Sequence, residues 1–411
     1  MTDLDTVSRG TPGPPVALYV HIPFCVSVCP YCDFVVVAGS AARGPRSRVP
    51  AFVDALVREI DLRADALDTL VAGGRSRPPL GSVYVGGGTP SLLPADEIAR
   101  ILARIGERFG IAADAEVTLE VNPGPDERGD PAAQRGAGIT RLSVGAQSLD
   151  AGELSQLGRR HAPKDVADAV AAARGAGIPS VSLDLLYDIP DVTVAAWMST
   201  LDAALDLAPD HLSLYALTLD DPDAEGLTGP LGDHLPTSAG ARRWRDAARP
   251  HQDEDRAAAQ YHHAVVTLGG AGFRGYEISN WALPGHESRH NLAYWTRRPH
   301  EAVGPGAHAF DGVRRRWNAA RLDGYVVALA GGRLPPGADE TTDPATAAAE
   351  SVILALRLDT GVPAAAAHEP PLVEHFGWAL AAGLLEVTAE ERVVLTTRGR
   401  LLSNELFARL V

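Results

Sequence analysis

The stretch ALYVHIPFCVSVCPYC, residues 17–32, joins a short apolar run to a tight group of cysteines. Residues 17–23 are rich in β-branched and aromatic side chains, which is typical of a buried strand. Cys25, Cys29 and Cys32 follow with the spacing C-x3-C-x2-C, and they are the three cysteines of the chain. An odd, clustered set of cysteines favours metal ligation over disulfide bonds. The sequence therefore predicts a metal-binding loop directly after a first strand.

Several kinds of site could use this loop. Three thiolates can hold three corners of a 4Fe-4S cluster, whose usual protein form takes four cysteines, so one iron stays open. An open iron beside a reducible cluster is what S-adenosylmethionine (SAM) requires. A zinc ion held by the three cysteines and His21 is an alternative, because Cys3His is a common closed zinc set. A redox pair at Cys29 and Cys32 is a third, although it leaves Cys25 unexplained.

Strand-like and helix-like stretches alternate along the first half of the chain. The predicted strands cover residues 17–23, 82–86, 116–122, 139–144, 181–187 and 211–219. The predicted helices between them cover residues 51–70, 95–109, 164–175 and 194–207. Repeated strand-then-helix units imply a parallel sheet with right-handed crossovers. We therefore predict an α/β fold built on a partial (β/α)6 barrel, with active groups at the carboxyl ends of its strands.

Composition divides the chain into four parts. Residues 1–15 are polar and rich in Gly and Pro, which predicts a mobile tail before the barrel of residues 16–220. Residues 221–342 begin with a Pro-, Gly- and Asp-rich stretch that breaks the pattern and predicts an irregular excursion. The sequence of residues 343–411 predicts two helices, a short hairpin and a closing helix. This order predicts a small C-terminal α+β module of winged-helix type.

Glycines and polar residues interrupt the predicted strands or follow them directly. They are Gly87, Gly88, Thr89, Glu120, Gln147 and Asp184. The glycines let a ligand approach the backbone closely and offer N–H groups to it. An unpaired buried polar group costs about 1–3 kcal/mol, so the side chains need partners. A ligand is one candidate partner, and hydrogen bonding inside the barrel is the other.

The order of these motifs resembles the radical SAM superfamily. Within it, YVHIPFC at residues 19–25 and Tyr31 before Cys32 are similar to the group of oxygen-independent coproporphyrinogen III oxidases and HemW-type heme chaperones. The resemblance runs from Leu18 to the C-terminus. It implies that SAM is bound by Tyr19, Gly87, Gly88, Thr89, Glu120, Gln147, Arg159 and Asp184. One departure is DIPDVT at residues 188–193, where the family usually has GLPGQT. Asp188 and Asp191 thus replace two glycines, which puts close backbone approach to a ligand there in doubt.

A second group of motifs lies after the barrel. The element HNLAYW, residues 290–295, is associated with heme in the HemW-like group. The resemblance implies that His290 offers an axial nitrogen to heme iron and that Asn291, Tyr294 and Trp295 lie at the same site. The alternative is that His290 and Asn291 cap a helix while the aromatic residues pack on the barrel.

The resemblance also separates two activities. In the oxidases that this group resembles, the cysteine motif is C-x3-C-x2-C-x-C and an additional N-terminal segment precedes the first strand. This chain instead has Asp33-Phe34 after the third cysteine. We therefore expect a protein that binds a 4Fe-4S cluster and SAM and carries heme to an acceptor protein, such as a respiratory haemoprotein. A heme donor and an electron donor for the cluster are further expected partners. The alternatives are oxidative decarboxylation of coproporphyrinogen III propionates to vinyl groups, and a zinc-stabilised scaffold.

Charge and hydropathy limit the classes of binding partner and the cellular location. The chain has 37 Lys and Arg against 52 Asp and Glu, a net charge of -15, which argues against a nucleic-acid partner. No run approaches the roughly 18 to 20 consecutive apolar residues of a membrane span, and the N-terminus reads Met-Thr-Asp-Leu-Asp-Thr, without basic residues before an apolar run. We expect a cytoplasmic protein, with peripheral membrane contact left open.

Overall fold

The computed structural model describes residues 12–44, 46–70 and 77–411. Most of the predicted mobile tail, residues 1–11, lies outside the described residues. The four residues of the tail that are described lead into the sheet, where the Gly13 N–H donates to Asp311 O at 2.8 Å. Among the residues described, no helix is long and apolar enough to cross a membrane.

Six parallel strands form the centre of the protein. They are β1 (Ala17–Ile22), β2 (Leu80–Gly87), β3 (Ile111–Val121), β4 (Arg141–Gln147), β5 (Ser180–Tyr187) and β6 (His211–Ala216). Each pairs in parallel with the next, in the order of the sequence. At their buried positions, four of the strands carry a single polar side chain among apolar ones, as strands covered on both faces require, whereas β4 and β6 carry two each. The predicted α/β fold with a partial (β/α)6 barrel is confirmed.

Later strands extend this sheet on both sides. They are β7 (Arg274–Gly275), β8 (Asn280–Ala282), β9 (His300–Val303), β10 (His308–Phe310), β11 (Arg314–Asn318) and β12 (Gly337–Thr341). The full order is β12-β11-β10-β9-β1-β2-β3-β4-β5-β6-β8-β7. β9 pairs in parallel with β1, so the first strand has a neighbour on each side.

Helices cover the outside of the sheet. In chain order, those of the barrel region are α1 (Val49–Leu70), α2 (Ala95–Phe109), α3 (Pro131–Gly136), α4 (Ala151–Gln156), α5 (Pro163–Gly175) and α6 (Val194–Asp206). α2 shows why they form here: Ile98, Ile101, Leu102 and Ile105 recur at helical spacing and are buried against the sheet. Together with the inner strand residues they form one large apolar core.

The region after β6 is more regular than its composition predicts. It contains α7 (Ala239–Ala248), α8 (Glu254–Gly270), α9 (Arg289–Trp295) and α10 (Leu322–Ala330). The expected irregular stretch before residue 255 therefore includes a ten-residue helix, whose N-terminus is capped by the Ser238 hydroxyl. Arg245 of α7 is buried and contacts the cysteine loop, which explains why so polar a helix packs on the barrel.

The C-terminal part has its own small core. Its helices are α11 (Pro344–Arg357), α12 (Phe376–Ala381), α13 (Thr397–Leu401) and α14 (Ser403–Phe407). Its strands are β13 (Val362–Pro363), β14 (Leu385–Val387) and β15 (Arg392–Leu395), in the order β13-β15-β14. Leu356, Leu372, Val393 and Leu406 lie in this second apolar cluster.

Candidate functional site

The cysteine loop closes one end of a large cavity. Cys25 lies in a two-residue strand that pairs with Val37–Ala38, and Cys29 and Cys32 lie on the loop that follows. All three line a cavity of about 750 Å³ inside the sheet. Because β1 ends directly before this loop, the cysteines lie at the carboxyl ends of the parallel strands, as predicted.

An arginine that the sequence did not reveal holds this loop. The Arg245 guanidinium donates to Pro30 O at 3.1 Å and to Cys32 O at 3.0 Å, and it is almost fully buried. A guanidinium bonded to two loop carbonyls fixes the loop between the second and third cysteines. No motif marks Arg245, because it lies in the stretch that composition assigns to an irregular segment.

The donors fit an iron–sulfur cluster better than one zinc ion. Within residues 12–44, 46–70 and 77–411, no three His, Cys, Asp or Glu side chains are grouped around the position of a single metal ion. His21, the fourth ligand of the zinc alternative, has Nε2 2.8 Å from Val35 O and Nδ1 3.0 Å from the Tyr19 hydroxyl. A cubane cluster binds each cysteine to a different iron, so it does not require the sulfurs to share one centre.

The glycine turn after β2 is shaped by packing. Gly87 has φ +113°, and a Cβ there would lie 2.5 Å from His21 Cε1; a Cβ on Gly88 would lie 2.7 Å from Phe24 O. The expectation that this turn offers its N–H groups to a ligand is not met in this structure. The Gly87 N–H donates to Glu120 Oε2, that of Gly88 to Ile22 O, and that of Thr89 to Phe24 O. The glycines are required because the His21 ring lies directly against Gly87 and the strand that carries Cys25 lies directly against Gly88.

A polar network joins two of the cysteines. Arg159 approaches Cys29 Sγ at 3.6 Å and donates to Asn122 Oδ1 at 2.7 Å. Asn122 in turn donates to Thr89 Oγ1 at 3.0 Å, and the Thr89 hydroxyl approaches Cys25 Sγ at 3.5 Å. The Nε of Arg159 is buried and has no partner among the described residues. One donor of this network is therefore free for a ligand beside the cysteines, and Asn122 is a member that sequence reasoning did not assign.

The predicted acidic and amide residues line the same cavity. Glu120, Gln147 and Asp184 all belong to its wall. Glu120 accepts hydrogen bonds from the Tyr84 hydroxyl at 2.9 Å and from the Gly87 N–H at 2.8 Å. Burial raises the pKa of Glu120 to about 7 and also raises the pKa of Asp184, which accepts from the Ser143 hydroxyl. Gln147 has φ 66° at the end of β4. The structure thus brings these three residues together with the cysteines.

Replacing Glu120 with Gln is expected to remove part of the pH dependence of stability. The pKa of Glu120 is about 7 in the folded protein against 4.5 ordinarily, so between these values the folded chain binds the proton more tightly. Wild-type stability should therefore fall as pH rises through this window. Relative to wild type, E120Q should gain on the order of 1–3 kcal/mol over the same window, measured by urea unfolding of the metal-free protein. The exposed Glu225→Gln variant is the control; a gain for E120Q that is constant with pH would contradict the assignment.

The residues predicted for heme are placed differently. Asn291 lines the cavity, whereas His290, Tyr294 and Trp295 do not. His290 is 1% exposed, with Nδ1 3.1 Å from Ser82 Oγ and Nε2 2.8 Å from the Tyr294 hydroxyl. Burial lowers the pKa of His290 to about 3, so the ring is neutral. Both ring nitrogens therefore have partners in this conformation. His290 and Asn291 lie inside helix α9, whose N-terminus is capped by the Ser288 hydroxyl rather than by either of them.

Tyr19 and the two substituted glycine positions lie outside the cavity wall. Tyr19 packs behind Tyr84 at 6.1 Å between ring centroids. Asp188 and Asp191 have φ 56° and 61°, so they adopt the left-handed conformation that glycine would favour. Asp188 accepts from Arg256 at 3.2 Å, and Asp191 pairs with His251 at 3.0 Å. The two aspartates thus stabilise the turn through side-chain bonds and do not intrude on the cavity.

Comparison with known proteins identifies the family. The sequence profile described as the Radical SAM superfamily matches residues 19–204. A curated Mycobacterium tuberculosis protein (strain H37Rv) named Heme chaperone HemW is 37% identical over 402 residues, which cover 97% of this chain and 96% of that protein. The chain belongs to the HemW family of the radical SAM superfamily. The resemblance stated from the motifs is thereby confirmed.

Other relatives agree with this assignment. The Escherichia coli (strain K12) HemW heme chaperone is 34% identical over 297 residues, which cover 72% of this chain and 70% of that protein. The solved structure of coproporphyrinogen III oxidase (HemN) from E. coli superposes with a TM-score of 0.76 at 23% identity, covering 99% of this chain and 92% of that one. At that identity the superposition shows a shared fold. Radical SAM membership implies a 4Fe-4S cluster and SAM as the cofactors of the HemW family.

Proposed function

We propose that this chain is a heme chaperone that holds a 4Fe-4S cluster with Cys25, Cys29 and Cys32, binds SAM beside it, and passes heme to an acceptor protein. Similarity over nearly the full length to relatives named heme chaperones carries the proposal. The dipeptide Asp33-Phe34 supports it, because the oxidase motif C-x3-C-x2-C-x-C has a fourth cysteine where this chain has Phe34. An acceptor protein and an electron donor for the cluster are the partners that this function requires.

The residues around the cavity have distinct tasks in this proposal. A bound cluster would supply an electron and one open iron for a sulfonium ligand. Arg159, held by Asn122 and Gly145 O, has an unpartnered donor for the SAM carboxylate. Glu120 and Asp184 are acceptors for the ribose hydroxyls and the amino group. Arg245 keeps the cysteine loop in place while these groups bind.

One anaerobic experiment separates the chaperone from the oxidase. Cluster-loaded protein is incubated with SAM and, in parallel, with heme or with coproporphyrinogen III. We expect about one heme bound per chain, transferred to an added apo-haemoprotein, and no porphyrin product. Protoporphyrinogen that forms in proportion to 5′-deoxyadenosine would overturn the proposal in favour of oxidative decarboxylation.

The role of His290 is tested by a pair of variants. If His290 ligates heme iron, it must first give up its hydrogen bond to the Tyr294 hydroxyl, so Tyr294→Phe should strengthen heme binding and His290→Ala should weaken it. The gain in Tyr294→Phe is expected to be about threefold to tenfold, since one hydrogen bond contributes about 0.5–1.5 kcal/mol, whereas His290→Ala loses the iron ligand itself. Heme titration followed by absorbance measures both. Equal heme affinity in H290A and wild type would leave His290 a structural residue.

A further inference from the structure

Tyr84 lies beside the residues proposed to bind SAM, although no sequence motif marks it. Its side chain lines the cavity, and its hydroxyl donates to Glu120 Oε1 at 2.9 Å. The Gly87 N–H donates to the other carboxylate oxygen, Oε2, at 2.8 Å. Two donors on two oxygens fix the rotation of the Glu120 carboxylate, and each oxygen keeps a second lone pair with which it can accept from a ligand.

The ring of Tyr84 is held in a cluster of aromatic side chains. It packs against Tyr19, with 6.1 Å between ring centroids, and against His290, with 5.2 Å. His290 is in turn fixed through both of its ring nitrogens. A swing of the Tyr84 hydroxyl away from Glu120 would therefore require these neighbours to move as well.

Gly86 leaves the space in which this pair meets. A Cβ at Gly86 would lie 2.8 Å from Tyr84 Cε1 and 2.9 Å from Glu120 Oε1. Both contacts are too short for a real side chain, so any other residue here would displace the tyrosine or the carboxylate. The hydrogen bond between Tyr84 and Glu120 therefore depends on glycine at residue 86 as well as on the tyrosine.

The same hydrogen bond favours the ionised form of Glu120. Burial raises the pKa of Glu120 to about 7, the charge of Asp184 acts in the same direction, and the donors at Gly87 and Tyr84 act to lower it. Burial also raises the pKa of Tyr84 well above its usual range, so its hydroxyl remains a donor. The remaining titratable groups that act on Glu120 are tyrosines, which are neutral near pH 7: Tyr19, Tyr215 and Tyr294.

We propose that Tyr84 is a positioning residue of the SAM site, which holds the Glu120 carboxylate in the orientation that accepts hydrogen bonds from SAM. The inference rests on the proposed function, in which Glu120 is such an acceptor. Tyr84 acts through Glu120, so its contribution to SAM binding should disappear when Glu120 is replaced.

A double-mutant cycle on the cluster-loaded protein tests this role. Tyr84→Phe removes the hydroxyl and keeps the ring that packs against Tyr19 and His290. SAM binding, measured by calorimetry without oxygen, should weaken roughly threefold to tenfold in Y84F and further in E120Q. In the E120Q background, Y84F should change the affinity by less than about twofold. Losses that multiply in the double variant would show that Tyr84 acts independently of Glu120 and would overturn the proposal.

The pH profile gives a second readout, which a merely structural role would not change. Y84F removes one donor to the charged form of Glu120, so the pKa of Glu120 should rise above its wild-type value. The pH at which SAM affinity falls on acidification should move upward by at least about half a pH unit. In the metal-free protein, the loss of stability with rising pH should continue to a higher pH than in wild type, because the folded-state pKa lies higher. Parallel profiles for Y84F and wild type would overturn the proposal.

Tyr261→Phe is the matched control for the loss of a buried hydroxyl. Tyr261 is 2% exposed, and its hydroxyl donates to Ile278 O at 2.8 Å, but it does not line the cavity. Y261F should bind SAM as wild type does, with the same pH dependence. If Y84F folds poorly, Gly86→Ala is the second variant, because its new Cβ meets side-chain atoms that can shift. G86A should show the same weaker binding and upward shift; SAM binding like that of wild type would overturn the proposal.

Two further results separate this inference from the proposed function. Y84F that binds SAM as wild type does, while E120Q binds it weakly, would overturn the role of Tyr84 and leave Glu120 a SAM residue. Wild-type protein that binds no SAM, or E120Q that binds it as tightly as wild type, would overturn the assignment of Glu120 and the role of Tyr84 with it.

Discussion

Cys29→Ser protein, reconstituted without oxygen, should be almost colourless and retain less than a tenth of the iron of wild type. Wild type should hold about three to four irons per chain, because three thiolates anchor a cubane whose remaining iron is the most easily lost. The chain has no other cysteine that could replace Cys29. Iron and sulfide analysis, the absorbance of the cluster and its EPR signal after reduction measure the loss.

Ser27→Ala is the control for Cys29→Ser, because it changes a residue of the same loop that is not a cysteine. Ser27 is exposed and lies between the first two cysteines, so its removal should leave the iron content as in wild type. Wild-type protein that takes up one zinc and no iron under these conditions would contradict the cluster assignment and restore the zinc alternative.

The second large effect is expected for Gly87→Ala. Gly87 combines a positive φ of +113° with a hypothetical Cβ position only 2.5 Å from the His21 ring. Backbone strain and overpacking each cost about 1–3 kcal/mol, so G87A should lose about 2–6 kcal/mol of folding free energy and much of its cluster loading. Chemical unfolding and iron content of the purified variant give the two readouts.

Gly106→Ala is the matched substitution for this test. Gly106 lies inside α2, and nothing lies within 4 Å of the Cβ that it would gain. Alanine in a helix is favoured over glycine by about 0.5–1 kcal/mol, so G106A should be slightly more stable than wild type. If G87A were as stable as G106A, the close packing of Gly87 against the His21 ring would not be needed for folding.

Periodicity and cysteine spacing predicted the barrel and the position of the cysteine loop well, because both depend on local patterns. The predicted strand at residues 181–187 and the observed β5, Ser180–Tyr187, differ by one residue. Long-range contacts escaped prediction. Arg245 acts on a loop more than two hundred positions before it.

The glycine and histidine motifs show a different limit. The sequence places Gly87 at the end of a strand, but only the structure shows that its N–H donates to Glu120. Likewise, the HNLAYW element is visible as a motif, while the pairing of both His290 nitrogens depends on Ser82 and Tyr294. Asp188 and Asp191 could not be judged from residue type alone, because aspartate tolerates a left-handed backbone when its side chain is bonded.

The place of β1 in the sheet affects how the protein is made. Its residue Ala17 pairs on one side with Ser82 of β2 and on the other with His300 of β9. At about 5–20 residues per second, a ribosome completes β9 long after β1 has emerged. Until then the strand that leads into the cysteine loop has a bare hydrogen-bonding edge, which is prone to pair with other chains. Metal insertion should therefore succeed best after release of the finished polypeptide, and a gene fragment that stops at residue 220 should yield insoluble product.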